Sequence, residues 1–137
     1  MPRDFHLSVV APDRSVVEEV VTSMVLPGSE GYFGVMADHV LTIASLKPGL
    51  LEYSDSTGVR HYVYLGGGFV EVQGQKVTVL ADEASRAHDI DVSEAEKRLD
   101  AARRALRGDD SGISSEDAVL EIERSMSMLR AARSSRN

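Results

Sequence analysis

The sequence predicts a β + α protein in which an N-terminal flattened β-sandwich or barrel is followed by a C-terminal antiparallel two-helix hairpin. Three observations support this fold class. Apolar residues alternate with polar ones up to about residue 80, as at Val70, Val72, Val77 and Val79, which is typical of half-buried strands. From Ala81 onward, Asp, Glu, Ser and Ala replace most of the β-branched residues. A helix-capping pattern then appears near residue 91, so we expect a sandwich domain at 1–85 and a hairpin domain at 86–137.

Short alternating segments predict the strands in chain order. They fall at residues 5–9, 16–20, 22–26, 41–46, 50–53, 59–65, 69–72 and 77–79. Turn-forming residues stand between most of them, at Ala11-Pro12-Asp13-Arg14, Pro27-Gly28, Lys47-Pro48-Gly49, Asp55-Ser56-Thr57-Gly58 and Gln73-Gly74-Gln75. Many short strands with no helical period between them are typical of a sandwich or a flattened barrel.

Capping residues and an Ala-rich apolar stripe predict the two helices. Asp91 with Glu94, or Ser93 with Glu96, can cap the first helix. Its predicted apolar stripe is Ala95, Leu99, Ala102 and Leu106, and a Gly- and Asp-containing break at residues 108–112 forms the loop. Ser114 can cap the second helix, whose predicted stripe is Val119, Ile122, Met126 and Leu129. Because burying Ala removes little apolar surface from water, we expect the hairpin to be weakly docked and able to move.

No residue pattern indicates catalysis. Gly66-Gly67-Gly68 follows a predicted strand, as a phosphate-binding loop would, but no Lys-Ser or Lys-Thr pair comes next and the following segment is another strand. A tight turn or bulge is therefore the better prediction. The histidines stand singly in different elements, without metal-ligand spacing, at His6, His39, His61 and His88. We expect no metal site, no cofactor and no enzyme activity in the isolated chain.

Composition and charge narrow the possible partners. The 137 residues include no Cys and no Trp, 5% are aromatic, and the net charge is −7. Such a chain repels phosphate backbones and lacks stacking platforms, so nucleic-acid binding is not expected. No segment is long and apolar enough for a signal peptide or a membrane span. The sequence on its own thus favours a soluble cytoplasmic protein.

An irregular, Gly-containing loop at residues 28–39 combines Glu30 and His39 with apolar residues. Loops of this kind on rigid β scaffolds often contact partners. Composition fits equally well a loop that only joins strands and packs on itself.

Several motifs, taken in order, resemble the epsilon subunit of bacterial F-type ATP synthases, whose mitochondrial equivalent is called delta. They are HLSVVAPDRSV at 6–16, PGSEGYFGV with a following DH at 27–39, LKPG at 46–49, and GGFVEV with KVTVLADEASRAHDID at 67–91. A capped helical hairpin completes the resemblance, which spans nearly the whole chain.

The resemblance implies a sandwich of about ten strands and a helix pair, in a non-catalytic subunit of the central rotary stalk. In this family the sandwich domain binds the gamma subunit and the polar loops of the c-ring, and couples rotation to ATP synthesis in a proton-translocating enzyme. The hairpin domain inhibits ATP hydrolysis through the catalytic beta and alpha subunits. The implied location is the cytoplasmic face of the bacterial cell membrane, with membrane association only through the complex.

Particular residues follow from the resemblance. The family's c-ring-facing loop carries an acid and a histidine that map onto Glu30 and His39. A carboxylate facing basic or polar loops would give an orienting, salt-sensitive contact. The family usually has a Pro two residues after the loop histidine, and Leu41 stands there in this chain, so we expect the loop to follow a somewhat different path.

The ATP-sensing motif of some bacterial members, I/L-D-x-x-R-A, is degenerate in this chain. It falls on Ile90, Asp91, Glu94 and Ala95, with Glu94 at the position of the nucleotide-facing Arg. A carboxylate there repels phosphate, so we expect little or no ATP binding.

Arginines on both helices can supply the inhibitory contacts that the resemblance implies. They are Arg103, Arg104 and Arg107 on the first helix, and Arg124, Arg130 and Arg133 on the second. Facing an acidic segment of the catalytic subunits, they would hold a raised hairpin by charge pairing. Dipole complementation at helix C-termini together with solubility explains Arg107 and Arg133 equally well.

Two other classes of function compete with this interpretation. A non-catalytic protein–protein adaptor, with a sandwich for one partner and a hairpin for another, fits the composition equally well. A small-ligand-binding sandwich or barrel enzyme would need a polar constellation directed into a cavity, and the sequence indicates none.

Overall fold

A computed structural model describes residues 4–36, 39–108 and 112–134, and for residues 39 and 40 it describes the backbone only. Seven strands come first: β1 (Phe5–Ala11), β2 (Arg14–Gly28), β3 (Gly31–Val35), β4 (His39–Asp55), β5 (Arg60–Gly74), β6 (Lys76–Ala81) and β7 (Ala84–Arg86). A 3₁₀ turn at Ala87–Asp89 leads to two helices, α1 (Val92–Leu106) and α2 (Ser115–Ser134).

The strands form a sheet that closes on itself. Hydrogen-bonded neighbours follow the order β1-β6-β5-β4-β2-β3, and β1 also pairs with β2. The short strand β7 pairs with β5 outside this order. Most pairs are antiparallel, whereas β1 and β6 are parallel. This closure confirms the predicted flattened β-sandwich or barrel followed by a two-helix hairpin.

The expected count of about ten strands is wrong for the described residues, which form seven. Segments 16–20 and 22–26 are one strand, β2. Lys47-Pro48-Gly49 and Gly66-Gly67-Gly68 do not separate strands either, because Pro48 is paired with Gly66 and Leu46 with Gly68. The two long strands β4 and β5 stay paired through these residues and bend together. Pro and Gly there allow a strand to pass from one layer to the other without ending.

The core of the sandwich consists of strand residues only. Leu7, Val9, Leu51, Val63 and Val79 are fully buried. They belong to a cluster that contains no residue of either helix. The alternation of buried and exposed positions in β6 follows the predicted period of two.

Helix α1 is capped by one of the two predicted pairs. The Oδ1 atom of Asp91 accepts a hydrogen bond from the backbone N–H of Glu94 at 3.2 Å. Helix α2 is capped as predicted, since the N–H of Asp117 donates to Oγ of Ser114 at 3.1 Å. The part of the predicted loop at residues 109–111 lies outside the described residues.

Helix α2 lies between α1 and the sheet, and its predicted apolar stripe is wrong at two of its four positions, while Ile122 and Leu129 are half-buried. Val119 and Met126 are each 44% exposed. The buried positions are small residues: Ala118, Ser125, Ser127, Ala131 and Ala132. Because α2 packs against α1 on one side and against the sheet on the other, two of its faces must come close to neighbouring elements. Small side chains allow this close approach, whereas a single apolar stripe predicts only one buried face. In α1, Ala95 and Ala102 are buried as predicted, but Ala105 takes the place of the exposed Leu106.

The hairpin contacts the sheet mainly through α2. Ala131 packs in a second buried cluster with Tyr64 of β5 and Ala87, bordered by Ile90 and Met128. Nε of Arg124 donates to the carbonyl oxygen of Gly66 at 3.0 Å. Val92 at the start of α1 and Ala132 near the end of α2 border the same groove, so the two helices are antiparallel. None of the helices in the described part of the chain combines the length and apolar character that crossing a membrane requires.

Candidate interaction surfaces

An apolar surface covers the outward side of β4, β5 and β6, and we call it the apolar face. Its residues are unusually exposed for their type: Leu41 63%, Ile43 69%, Phe69 58% and Leu80 56%. Register places Phe69 between Ser45 of β4 and Leu80 of β6, while Ile43 is opposite Glu71 in the next row. Ile43 and Phe69 are therefore diagonal neighbours, and Phe69 is directly opposite Leu80, so apolar side chains follow one another across three strands. A contiguous exposed apolar patch marks a site of protein interaction.

The loop that carries Glu30 borders this apolar face. The backbone N–H of Ser29 donates to the carbonyl oxygen of Ser45 at 3.0 Å, and the two serine hydroxyls are 2.9 Å apart. Gly31 completes the tight turn with a φ of 133°, a conformation that favours glycine. Glu30 is exposed at this turn, beside a groove that Phe33 and Ile43 also line.

His39 is the first residue of β4, the strand that contains Ser45, but it lies at the other end of the apolar face. Its backbone is paired with Gly74, and its side chain lies outside the described residues. Six residues of strand separate His39 from Ser45, or ~20 Å at the usual rise. The backbone does not bring His39 close to Glu30, and a c-ring contact by both residues stays a prediction.

The degenerate nucleotide motif has structural partners in this fold. Asp91 caps α1 through the N–H of Glu94, and Ala95 is fully buried. Ile90 packs against the Tyr64 cluster. The Glu94 carboxylate is exposed and lies 3.9 Å from Nζ of Lys97. A solvent-facing acid at this position presents no attraction to phosphate, and the expected lack of ATP binding stays a prediction.

The six arginines predicted for inhibition differ in their surroundings. Arg103 and Arg104 are exposed on α1, Arg107 is exposed at its C-cap, and Arg104 pairs with Asp100 of the same helix at 3.4 Å. Arg130 and Arg133 are exposed on α2. Arg124 is bound to the sheet through Gly66, as described above, and lies 3.8 Å from Glu121. In this conformation Arg124 holds the hairpin down instead of facing outward.

Sequence reasoning missed the ionic cluster where the hairpin meets the sheet. Arg98 of α1 bonds both carboxylate oxygens of Glu83, each at 3.2 Å. It also bonds both carboxylate oxygens of Glu121 in α2, at 3.1 and 3.0 Å. The hydroxyl of Tyr64 donates to Glu83 at 2.7 Å. The available signal was the position of Arg98, which lies three residues after buried Ala95 and four before buried Ala102, on the inner face of α1.

This cluster perturbs the titration of its members. Burial alone would raise the pKa of Glu83, but hydrogen bonds from Tyr64 and Arg98 outweigh it and hold the pKa below its ordinary value. Burial, together with the hydrogen bond to Glu83, raises the pKa of the Tyr64 hydroxyl well above its usual range. Glu83 is therefore a carboxylate at neutral pH and Tyr64 a neutral donor.

A second polar cluster, at the outer end of β4 and β5, is already satisfied by its own residues. Glu19, Asp55 and His61 bring ligand atoms within 4.8 Å of one another, the spacing of a possible metal site. However, Glu19 accepts from the Tyr53 hydroxyl and lies 3.4 Å from the Arg86 guanidinium, and Asp55 Oδ2 is 2.8 Å from Nε2 of His61. The guanidinium already provides the positive charge there. The cluster closes the strand ends and is no candidate for metal binding.

Titration of this second cluster follows from the same contacts. Burial and the hydrogen bond to Glu19 raise the pKa of Tyr53 to about 12. Hydrogen bonds from Thr57 and His61 hold the pKa of Asp55 far below its ordinary value. Asp55 also accepts from the N–H groups of Thr57 and Val59, and thus fixes the turn between β4 and β5.

Comparison with known proteins places this geometry among ATP synthase subunits. Residues 4–87 match the family model described as ATP synthase, Delta/Epsilon chain, beta-sandwich domain. The ATP synthase epsilon chain of Nitratidesulfovibrio vulgaris (strain DP4) is 38% identical over 130 residues, which are 95% of this chain and 96% of the relative. The epsilon chain of Desulfatibacillum aliphaticivorans is 40% identical over 113 residues, or 82% of this chain and 80% of the relative.

Solved structures agree with the sequence comparisons. A chain in the cryo-EM structure of the Euglena gracilis mitochondrial ATP synthase, OSCP/F1/c-ring in rotational state 1, is similar with a TM-score of 0.79 and 26% identity. The match covers 96% of this chain and 82% of that one. A chain of the Tetrahymena thermophila mitochondrial ATP synthase central stalk and c-ring shares the fold at a TM-score of 0.55 and 12% identity, covering 98% of each chain.

Proposed function

The chain belongs to the ATP synthase delta/epsilon family, and on that basis we propose that it is the epsilon-type, non-catalytic subunit of the central stalk in a proton-translocating F-type ATP synthase. The observation that carries the proposal is the end-to-end match to epsilon chains, which includes the helical hairpin as well as the sandwich. A generic adaptor would share the architecture without this continuous identity. As part of the synthase, the chain lies peripherally on the cytoplasmic face of the cell membrane.

The apolar face is the proposed binding surface for the gamma subunit. Phe69, Ile43 and Leu80 are more than half exposed in the isolated chain, and burying them against a partner would remove a large apolar area from water. The face lies on strands that are held on both sides by other strands, so it is rigid before binding. A preorganised surface loses little conformational entropy on association.

The loop at Glu30 is the proposed contact with the c-ring. Its carboxylate is exposed at a tight turn next to the apolar face. A partner seated on that face would therefore leave the Glu30 turn at its border, free to meet a second partner. His39, at the opposite end of the face, is proposed to contribute to the same stalk interface from a separate position.

The hairpin is the proposed regulatory part. When docked, it presents Arg103, Arg107, Arg130 and Arg133 to solvent. Arg124 instead bonds to the carbonyl oxygen of Gly66 in the sheet, and Arg98 bonds to Glu121 of α2. Raised toward the catalytic beta and alpha subunits, the exposed arginines would pair with acidic segments and inhibit ATP hydrolysis. Dipole complementation alone accounts for Arg133 in the last turn of α2, but not for Arg130 one turn earlier.

Binding to the gamma subunit of the same bacterium tests the proposal. Phe69→Glu and Ile43→Glu place a charge in the apolar face and should weaken binding by about tenfold or more, since central apolar anchors dominate interface energetics. Val59→Glu is the matched control, because Val59 is 53% exposed in the turn between β4 and β5, away from this face. Equal binding by all three variants would contradict the assignment of the surface, and no binding by the unaltered chain would contradict the proposed function.

A further inference from the structure

The carboxylate of Glu71 lies within the apolar face. Glu71 follows Phe69 by two residues on β5, and both are exposed, so their side chains leave the same side of the strand. Strand register places Glu71 directly opposite Ile43 of β4. Leu80 of β6, which is opposite Phe69, is a diagonal neighbour of Glu71. The charge thus has exposed apolar side chains beside it on all three strands.

Within the described residues, the Glu71 side chain forms no ion pair and no hydrogen bond. Another exposed acid of the sandwich has a partner, since a carboxylate oxygen of Glu18 lies 3.3 Å from Nε2 of His6. Lys76 of β6 is opposite Gln73, one row along the face from Glu71, and does not pair with it. The charge of Glu71 is therefore left to solvent in the isolated chain.

A partner seated on the apolar face would remove Glu71 from water together with its neighbours. Removing an unpaired carboxylate from water is strongly unfavourable, whereas a carboxylate that meets an ammonium or a guanidinium keeps a partner for its charge. A wholly apolar partner surface is consequently a poor match for this face. A partner that combines apolar side chains with one basic side chain over β5 matches both features.

The position of this charge is fixed before binding. The backbone of Glu71 is paired on both sides, with Ile43 of β4 and with Thr78 of β6. The row that carries Lys76 lies ~7 Å further along the strands, at two residues of strand rise. A partner cation displaced by one row would lose the carboxylate and meet a like charge instead, which penalises the wrong register.

We propose that Glu71 is the specificity-determining charge of the apolar face: the gamma subunit that docks there supplies a Lys or Arg opposite Glu71, and this ion pair selects the partner and sets its register on the sheet. The inference rests on the proposed function, since it concerns the same interface, and it adds the chemistry that the partner's surface must carry. The apolar side chains supply contact area, and the ion pair rejects apolar or acidic surfaces of similar shape.

The affinity of Glu71→Gln for gamma tests the inference, because the sign of the change depends on what gamma places there. Against a cation, Gln leaves that cation buried without a counter-charge, and the dissociation constant should rise by about tenfold or more. Against an apolar surface, Gln would instead remove an unpaired buried charge, and binding would become tighter. Surface plasmon resonance with the full chain and gamma of the same bacterium measures both rate constants.

The two rate constants separate a buried ion pair from long-range attraction. Loss of a buried pair accelerates dissociation, whereas loss of a charge at the rim mainly slows association. Glu96→Gln is the control, with the same charge change at an exposed position of α1, which α2 separates from the sheet. It should leave dissociation unchanged. Amide exchange in the strands equal to that of the unaltered chain verifies that Glu71→Gln is folded.

Every result decides for or against the ion pair. Faster dissociation of Glu71→Gln but not of Glu96→Gln is the expected outcome. Tighter or unchanged binding by Glu71→Gln, or a loss confined to association, would overturn the inference alone if Phe69→Glu still weakens binding. Absence of binding by the unaltered chain would overturn the proposed function and this inference together.

Discussion

At the scale of single residues, Gly66 and Gly68 determine how β5 passes the bend and how the hairpin reaches it. A Cβ on Gly68 would lie 2.2 Å from the carbonyl oxygen of Leu80, and the φ of Gly68 is 139°. A Cβ on Gly66 would meet the Tyr64 hydroxyl at 2.8 Å and Nε of Arg124 at 3.2 Å. One glycine therefore permits strand pairing, and the other leaves room for the docked hairpin.

Gly68→Ala should destabilise the whole sandwich. The clash is with backbone, which cannot move aside without breaking the pairing of β5 with β6, so we expect a loss of ~2 kcal/mol or more in the free energy of unfolding. Urea denaturation followed by circular dichroism measures it. Gly58→Ala is the comparison, since Gly58 also has positive φ, at 88°, but no atom within 4 Å of the added Cβ. Equal losses in the two variants would show that backbone strain and not the clash is responsible.

Glu83 should make hairpin docking sensitive to acid. In the folded chain the pKa of Glu83 lies below its ordinary value, whereas a Glu in an unfolded chain has a pKa of about 4.3. The stabilisation is therefore fully present above that pH and is lost as the pH falls through the lower folded pKa. Between pH 6 and pH 3, the amide protons of α1 should lose more protection against exchange than the ordinary pH dependence of exchange explains. Glu83→Gln should remove much of this acid response, whereas Glu123→Gln, an exposed acid on α2, should retain it.

At the scale of elements, α2 shows why its buried side is made of small residues. Ala118 and Ser125 are fully buried, and so is Ala131 next to Tyr64. The Ser125 hydroxyl is satisfied by the carbonyl of Glu121 at 2.7 Å, so its burial leaves no polar group unpaired. A helix that is packed between a sheet and a second helix is limited by space more than by apolar area.

Ala131→Leu should push the hairpin away from the sheet. Three added carbon atoms cannot fit beside Tyr64 without displacing α2, and overpacking of this kind costs about 1–3 kcal/mol. We expect faster amide exchange in α1 and α2 with unchanged exchange in the strands. Ala101→Leu makes the same change at an exposed position of α1 and should have no such effect. Unchanged protection of α2 in Ala131→Leu would mean that the interface has room to relax.

At the scale of the whole molecule, the sandwich has a core of its own. The main buried cluster includes Leu7, Leu51 and Val63 and contains no helix residue. Arg86, the last residue of β7, donates to the carbonyl of Val16 at 3.1 Å and to the Tyr53 hydroxyl at 3.2 Å. The strand part therefore extends through Arg86, and the predicted division into domains at 1–85 and 86–137 stays a prediction.

A chain that ends at Asp89 should fold without the hairpin. It keeps Arg86 and the complete main core, while it loses Ala131 and Met128, which pack in the cluster around Tyr64. A well-dispersed amide spectrum, with strand protection like that of the full chain, is the expected result. Collapse of the spectrum would show that the hairpin contributes to the stability of the sandwich.

The same truncation tests regulation in the assembled synthase. If the hairpin inhibits, a complex containing the chain that ends at Asp89 should hydrolyse ATP faster than one with the full chain. Arg98→Gln should shift hydrolysis in the opposite direction, because a released hairpin is more available to the catalytic subunits. ATPase rates of complexes with equal subunit content provide the measurement, and equal rates for all three chains would leave the hairpin a purely structural part.

The sequence by itself determined the fold class, the Ser114 cap, the period-two strands and the family, and it limited the cap of α1 to Asp91 or Ser93. These features depend on residues within a few positions of one another, or on motifs that keep their order along the chain. Only the tertiary structure decided that β4 and β5 run unbroken past Lys47-Pro48-Gly49 and Gly66-Gly67-Gly68, because pairing with a distant strand overrides local turn preference. It also decided which face of α2 is buried, and that Arg98 bonds Glu83 fifteen residues away and Glu121 twenty-three residues away. Ion pairs of this kind depend on where separate elements pack, which no local pattern encodes.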